Sequence, residues 1–82
     1  MPPYRYNPPV VIMSILNWDS TYAIALALHR KNPVIQLEKV TLNQVYEWTI
    51  NLPEFEDDLS LCNDSILQAI YQDWYEQKIH EW

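Results

Sequence analysis

Not one of the 82 residues is glycine, while six are proline. Turns that need positive φ lack their usual residue, which disfavours a hairpin-rich fold and excludes glycine-built phosphate loops. Helices joined by proline- and asparagine-punctuated loops fit instead. A chain this short buries only about 60% of its unfolded surface, so its core must use large side chains. Four Trp, six Tyr and one Phe supply them, each removing roughly 150–250 Å² from water when buried. Such a core needs neither metal nor disulfide. Cys62 is the only cysteine, so an internal disulfide is impossible, and a reducing, cytoplasmic setting is expected. No stretch approaches the ~18 apolar residues of a membrane span. The apolar run at residues 10–13, with Ile15 and Leu16, is too short for a signal sequence and lacks a small-residue cleavage site.

The organisation reads as an N-terminal arm, residues 1–16, followed by one helical domain, residues 17–82. In the arm, Pro2, Pro3, Pro8 and Pro9 favour extended backbone. A first helix is predicted from a cap at Asp19 or Ser20 to about Lys31, where Asn32 and Pro33 stop it. Ile24, Ala27 and Leu28 share its core face, and Arg30 and Lys31 suit the negative end of the helix dipole. Tyr22 and Leu26 form an apolar pair away from that face, and residues 10–16 are expected to cover it. Residues 34–42 read as an extended connector. Two caps compete for the second helix: Thr41 with Gln44 has capping-box spacing, and Asn43 is an equally good single cap. That helix carries Val45, Trp48 and Leu52 on one face and should end at Leu52, before Pro53. Residues 53–63 form a loop. Asn63 or Asp64 caps a third helix, whose apolar face is Ile66, Leu67, Ile70, Tyr71 and Trp74.

Charge is unevenly placed. Residues 1–39 carry four cationic and two acidic side chains, whereas residues 40–82 carry nine acidic and one cationic. The C-terminal half would repel a nucleic-acid backbone, and a basic protein surface is the expected partner. The acids also keep a Trp-rich domain in solution. The densest cluster is Glu54, Glu56, Asp57 and Asp58 around Phe55. Carboxylates suit hard cations, but the cluster has no histidine and no calcium-loop spacing, so a solvated, partner-steering loop is the favoured reading. Cys62 reads as a structural, half-buried thiol, because neighbouring carboxylates disfavour the thiolate. His29 and His80 show no ligand spacing and read as surface or rim residues. Trp18, Trp48 and Trp74 read as core anchors, and Trp82 as exposed. Nothing resembles a zinc site, P-loop, dinucleotide fingerprint or nucleophile elbow, so a non-enzymatic role is expected.

The order of landmarks resembles the IscX (YfhJ) family of iron–sulfur cluster assembly accessory proteins. These are Trp18 with Ser20, Ala27-Leu28, Pro33, Val40, Trp48, Leu52, Phe55, the triplet Glu56-Asp57-Asp58, Asn63-Asp64, Ile66-Leu67, Ala69-Ile70 and Trp74. The resemblance implies a mainly α, compact three-helix domain, similar to a modified winged helix with at most short strands. It favours Asn43 as the second cap, with residues 40–42 as a short strand. It also implies an accessory or regulatory role, exerted by binding the cysteine desulfurase of the assembly machinery, with ferrous iron bound weakly and no tightly held cofactor. On this reading Glu54, Phe55, Glu56, Asp57, Asp58 and Asp64 meet the partner, and Glu56, Asp57 and Asp58 are the candidate metal ligands. A monomer that touches neither nucleic acid nor membrane is expected. The alternative is a winged-helix-like interaction module with no metal or desulfurase role. The chain departs from the family pattern where it has Leu26, Arg30, Val34 and Gln36 in place of acids, Leu59 in place of a proline, and Gln68 in place of an acid.

Overall fold

The computed structural model describes residues 15–79. Three α-helices follow one another, α1 (Thr21–Lys31), α2 (Leu42–Ile50) and α3 (Asp64–Ile79), with 3-10 turns at Leu37–Lys39 and Leu59–Leu61. α3 packs against both other helices, more extensively against α1. The mainly α, three-helix expectation therefore holds. Among the described residues no strand forms, and a lone parallel bridge joins Leu16 to Phe55; the wing of a winged helix has no counterpart there. No helix among them is long and apolar enough to cross a membrane.

The caps show why the helices begin and end where they do. Ser20 holds the N-cap position of α1, but its hydroxyl takes no bond from the helix. It donates instead to Asn17 Oδ1 at 3.2 Å, and the Asp19 N–H donates to the same oxygen at 3.0 Å. At the other end the Asn32 backbone N–H and side-chain amide both donate to Leu28 O, at 2.9 and 3.3 Å. α2 opens on a full capping box: Gln44 N–H donates to Thr41 Oγ1 at 3.1 Å, and Thr41 N–H to Gln44 Oε1 at 2.9 Å. Two orphan donors are satisfied together, which a single cap at Asn43 cannot match. The expected cap at Asn43 and short strand at 40–42 are thus both replaced. α3 begins from Asn63, whose Oδ1 accepts the Ile66 N–H at 2.9 Å.

Two boundaries differ from expectation. α2 stops at Ile50 rather than Leu52, because the Asn51 side-chain amide donates to Glu47 O at 2.8 Å and Leu52 N–H turns back to Thr49 O at 3.0 Å. That turn delivers Leu52 into the core, 4% exposed. The connector is not uniformly extended. Its 3-10 turn buries Leu37, whose carbonyl accepts the Tyr71 hydroxyl at 2.9 Å. Lys78 Nζ then donates to Ile35 O at 3.0 Å and Pro33 O at 3.4 Å, so α3 holds the connector at two further points.

The core comprises Trp18, Ile24, Ala25, Leu28, Leu37, Val45, Leu52, Leu67, Ile70 and Trp74. Trp18 and Trp74 are the anchors expected of them, while Trp48 is half-buried with its ring edge-on to Trp74 at 6.1 Å. On α1 the buried arc runs through Ile24, Ala25, Leu28 and His29, displaced from the expected Ala27 side because α2 and α3 both pack on this helix. His29, expected at the surface or rim, is therefore buried. Thr49 is also fully buried. Tyr22 is exposed and Leu26 half-buried, and Leu16 lines a hollow of about 220 Å³ with Ala23, Leu26 and Arg30. Residues 10–14, His80 and Trp82 lie outside the described residues.

Candidate docking site

The acidic loop is positioned by residues almost forty places earlier in the chain. Leu16 N–H donates to Glu54 O and Glu56 N–H donates to Leu16 O, both at 2.9 Å. One residue on, the Trp18 N–H donates to Asp57 Oδ2 at 2.9 Å, and the Trp18 indole N–H donates to Asp58 O at 2.9 Å. The Trp18 ring is sandwiched in turn, stacked on Tyr46 at 6.0 Å and meeting Phe55 edge-on at 4.6 Å. Residues 16–18 thus form a clamp on residues 54–58. The clamp is locally prepared, because Asn17 Oδ1 and the Ser20 N–H to Asn17 O bond (2.8 Å) fold the 17–20 segment into a tight turn.

The six candidate residues divide into two sets. Phe55, Asp57 and Asp58 hold the loop in shape. Phe55 is half-buried against Trp18, and Asp57, also half-buried, spans the Trp18 N–H and, through Oδ1 at 2.7 Å, the Asp58 N–H. Asp58 Oδ1 accepts the Ser60 N–H at 3.0 Å and the Ser60 hydroxyl at 2.9 Å, capping the Leu59–Leu61 turn. Those bonds from Ser60 hold the Asp58 carboxyl below the ordinary aspartate range. The second set, Glu54, Glu56 and Asp64, is exposed. Glu54 shares a hollow of about 160 Å³ with Arg30, Lys31 and Pro53, and Asp64 opens α3, where a negative charge suits the helix dipole.

Along this stretch of the chain the charge is of one sign, although Arg30 and Lys31 of α1 share a hollow with Glu54. Residues 40–77 contain eight acids and no Lys, Arg or His. Cys62 is half-buried beside it, and burial together with the Asp64 charge pushes its thiol above the ordinary value. A raised thiol is a poor nucleophile at neutral pH, which agrees with a structural cysteine. Among the described residues no three His, Cys, Asp or Glu side chains are grouped so as to hold a metal ion. What the arrangement can do is present negative charge on a loop of fixed shape.

Two features escaped the sequence reading. Trp18 was legible as a core anchor, but its two bonds to the loop join positions 39 and 40 residues apart, beyond any local pattern. The exposure of Leu59 and Leu61 was also missed, although an Asp-x-Ser at 58–60 is a recognisable turn-capping signal.

A glycine-free, mainly α domain whose acidic loop is clamped to an aromatic core defines a class: small acidic helical proteins. Within that class the chain belongs to the IscX (YfhJ) family, since the family model described as iron–sulphur cluster assembly matches residues 16–78. The match begins at Leu16, the first residue of the clamp. A relative in Pseudomonas aeruginosa, itself an uncharacterized protein, is 30% identical over 63 residues, 77% of this chain and 96% of the relative.

Proposed function

We propose that this chain is an accessory, regulatory protein of iron–sulfur cluster assembly that docks through its acidic loop on a basic surface of the cysteine desulfurase. The observation that carries the reading is the concentration of Glu54, Glu56, Asp57 and Asp58 on a loop bolted to the core by Trp18, with Asp64 following at the start of α3 and no cation in residues 40–77. A preformed charged surface sets the rate and salt dependence of association and suppresses wrong partners. The chain acts as a cytoplasmic monomer in this reading and modulates sulfur transfer without performing chemistry.

Ferrous iron enters only as weakly held cargo on individual carboxylates of Glu56, Asp57 and Asp58, which are not grouped into a closed site. Asp57 and Asp58 already accept two hydrogen bonds each, so a metal on these carboxylates competes with the bonds that shape the loop. Docking therefore has more support than iron binding.

The test reverses the exposed set, Glu54→Lys, Glu56→Lys and Asp64→Lys, and spares the two aspartates that hold the loop. Affinity for purified desulfurase should fall by about tenfold or more, since each exposed charge contact is worth up to ~1 kcal/mol and 1.4 kcal/mol is tenfold. The dependence of affinity on salt should flatten as well. An unchanged affinity at low salt would remove the acidic loop from the docking surface.

A further inference from the structure

Charge alone leaves two side chains of this loop unexplained. Leu59 is 47% exposed and Leu61 56%, and no residue of the 3-10 turn that carries them is buried. A single exposed leucine is ordinary. This pair is held out by a fixed scaffold. Leu61 N–H donates to Asp58 O at 3.1 Å, and Cys62 N–H to Leu59 O at 3.3 Å. The Asp58 carbonyl also accepts the indole N–H of Trp18, which is 2% exposed. With the Asp58 carboxylate on Ser60 as well, the turn is fastened both to itself and to the core.

The surroundings say what kind of surface would cover the pair. Asp58 precedes the turn, Asp64 follows it within three residues and Glu56 lies on the same loop, with Glu54 further off beside Arg30 and Lys31 of α1; the nearest cation to the pair in sequence is seventeen residues away at Lys78. A second copy of this chain would bring the same acids against these, and like charges across an interface are unfavourable.

We infer that Leu59 and Leu61 are the apolar anchor of the acidic docking face, received by an apolar hollow rimmed with Lys and Arg on the partner protein. The inference rests on the docking reading above and deepens it by dividing the work of the loop. The exposed acids set how fast and how salt-sensitively the partner is met. The leucines, shed of water on contact, set how long it is held. Because the turn is already formed, little ordering is needed when they enter the hollow.

The test uses the full chain and the desulfurase holoenzyme, with affinity from calorimetry and association and dissociation rates from surface plasmon resonance, each at two salt concentrations. Leu59→Ala with Leu61→Ala should weaken binding about tenfold or more through lost apolar burial, mainly through faster dissociation, with the salt dependence kept. The acid-reversed variant should instead change association rate and salt dependence. Leu59→Gln with Leu61→Gln, which keeps side-chain length, should weaken binding likewise. Melting temperature and circular dichroism check that each variant folds. If the wild type binds and a folded leucine variant binds equally well, the anchor is overturned while the docking reading stands. If the wild type fails to bind even at low salt, the docking reading falls and takes the anchor with it. A concentration-dependent dimer abolished by the leucine substitutions, or methyl contacts from Leu59 and Leu61 to Val10 or Ile12 in the free protein, would give the patch to another occupant and overturn the inference.

Discussion

Trp18 carries more of this protein than any other residue. Its ring joins the core, its indole N–H fixes Asp58, and its backbone N–H fixes Asp57. Each tie would leave a buried or half-buried polar group unmet if broken, at about 1–3 kcal/mol. The opposite condition occurs at Thr49 and Trp74, whose hydroxyl and indole N–H are buried and find no partner among the described residues. Thr49→Val replaces that hydroxyl with a methyl of similar size. It should stabilise the fold by about 1 kcal/mol, read as a raised urea midpoint with an unchanged slope. Thr49 was invisible as a core residue because the apolar pattern of α2 is carried by Val45, Trp48 and Leu52. Threonine counts as polar in such a pattern, yet its methyl lets it pack. His29 escaped for the same reason.

At the level of elements, local hydrogen bonds decided what propensity left open. Thr41 and Gln44 won the start of α2 by satisfying two donors at once, and Asn51 and Asn63 set a helix end and a helix start through their side-chain amides. These signals lie within four residues of one another, and so they are legible in a sequence. The acidic turn adds a pH dependence. The Asp58 carboxyl is held below its ordinary value by the bonds from Ser60, against a small opposing effect of burial. A carboxyl lowered in the folded state lends its stability above the unfolded value and loses it as pH falls through the folded one. The Leu59–Leu61 turn should therefore be intact at neutral pH and loosen only below the ordinary aspartate range. The Ser60 amide resonance should titrate there. In Asp58→Asn, whose amide oxygen still accepts but does not ionise, that titration should vanish; its persistence would assign it to another acid.

Across the whole molecule, the clamp couples the acidic surface to the core. Trp18→Phe keeps a ring between Tyr46 and Phe55 but deletes the donor to Asp58. It should cost about 2 kcal/mol, from lost side-chain volume and the lost indole hydrogen bond, while the Asp58 carbonyl keeps the Leu61 N–H. Amide exchange at Leu61, whose N–H shares that carbonyl, should quicken more than exchange at Val45 on α2. Equal changes at both sites would mean that Trp18 supports the fold without holding the loop in particular. The connector repeats the scheme from the other side, where Tyr71 and Lys78 of α3 bind carbonyls of residues 33–37. Both loops are thus tied to helices or to the core by residues from distant positions in the chain.

Local chemistry alone determined that the chain has no glycine for hairpins, that three amphipathic segments follow residues able to cap a helix, and that its acids gather after residue 40. Those properties follow from neighbours in sequence, where backbone sterics, capping and dipole effects act within one or two turns. Only the tertiary structure decided which acids serve the loop's shape and which face solvent, that His29 and Thr49 are inside, and that two leucines are held outside. Each of these depends on residues 16–18 meeting residues 54–58, or on two helices packing against a third. Such contacts form when the whole chain closes on its aromatic core, and no short window of sequence contains both partners.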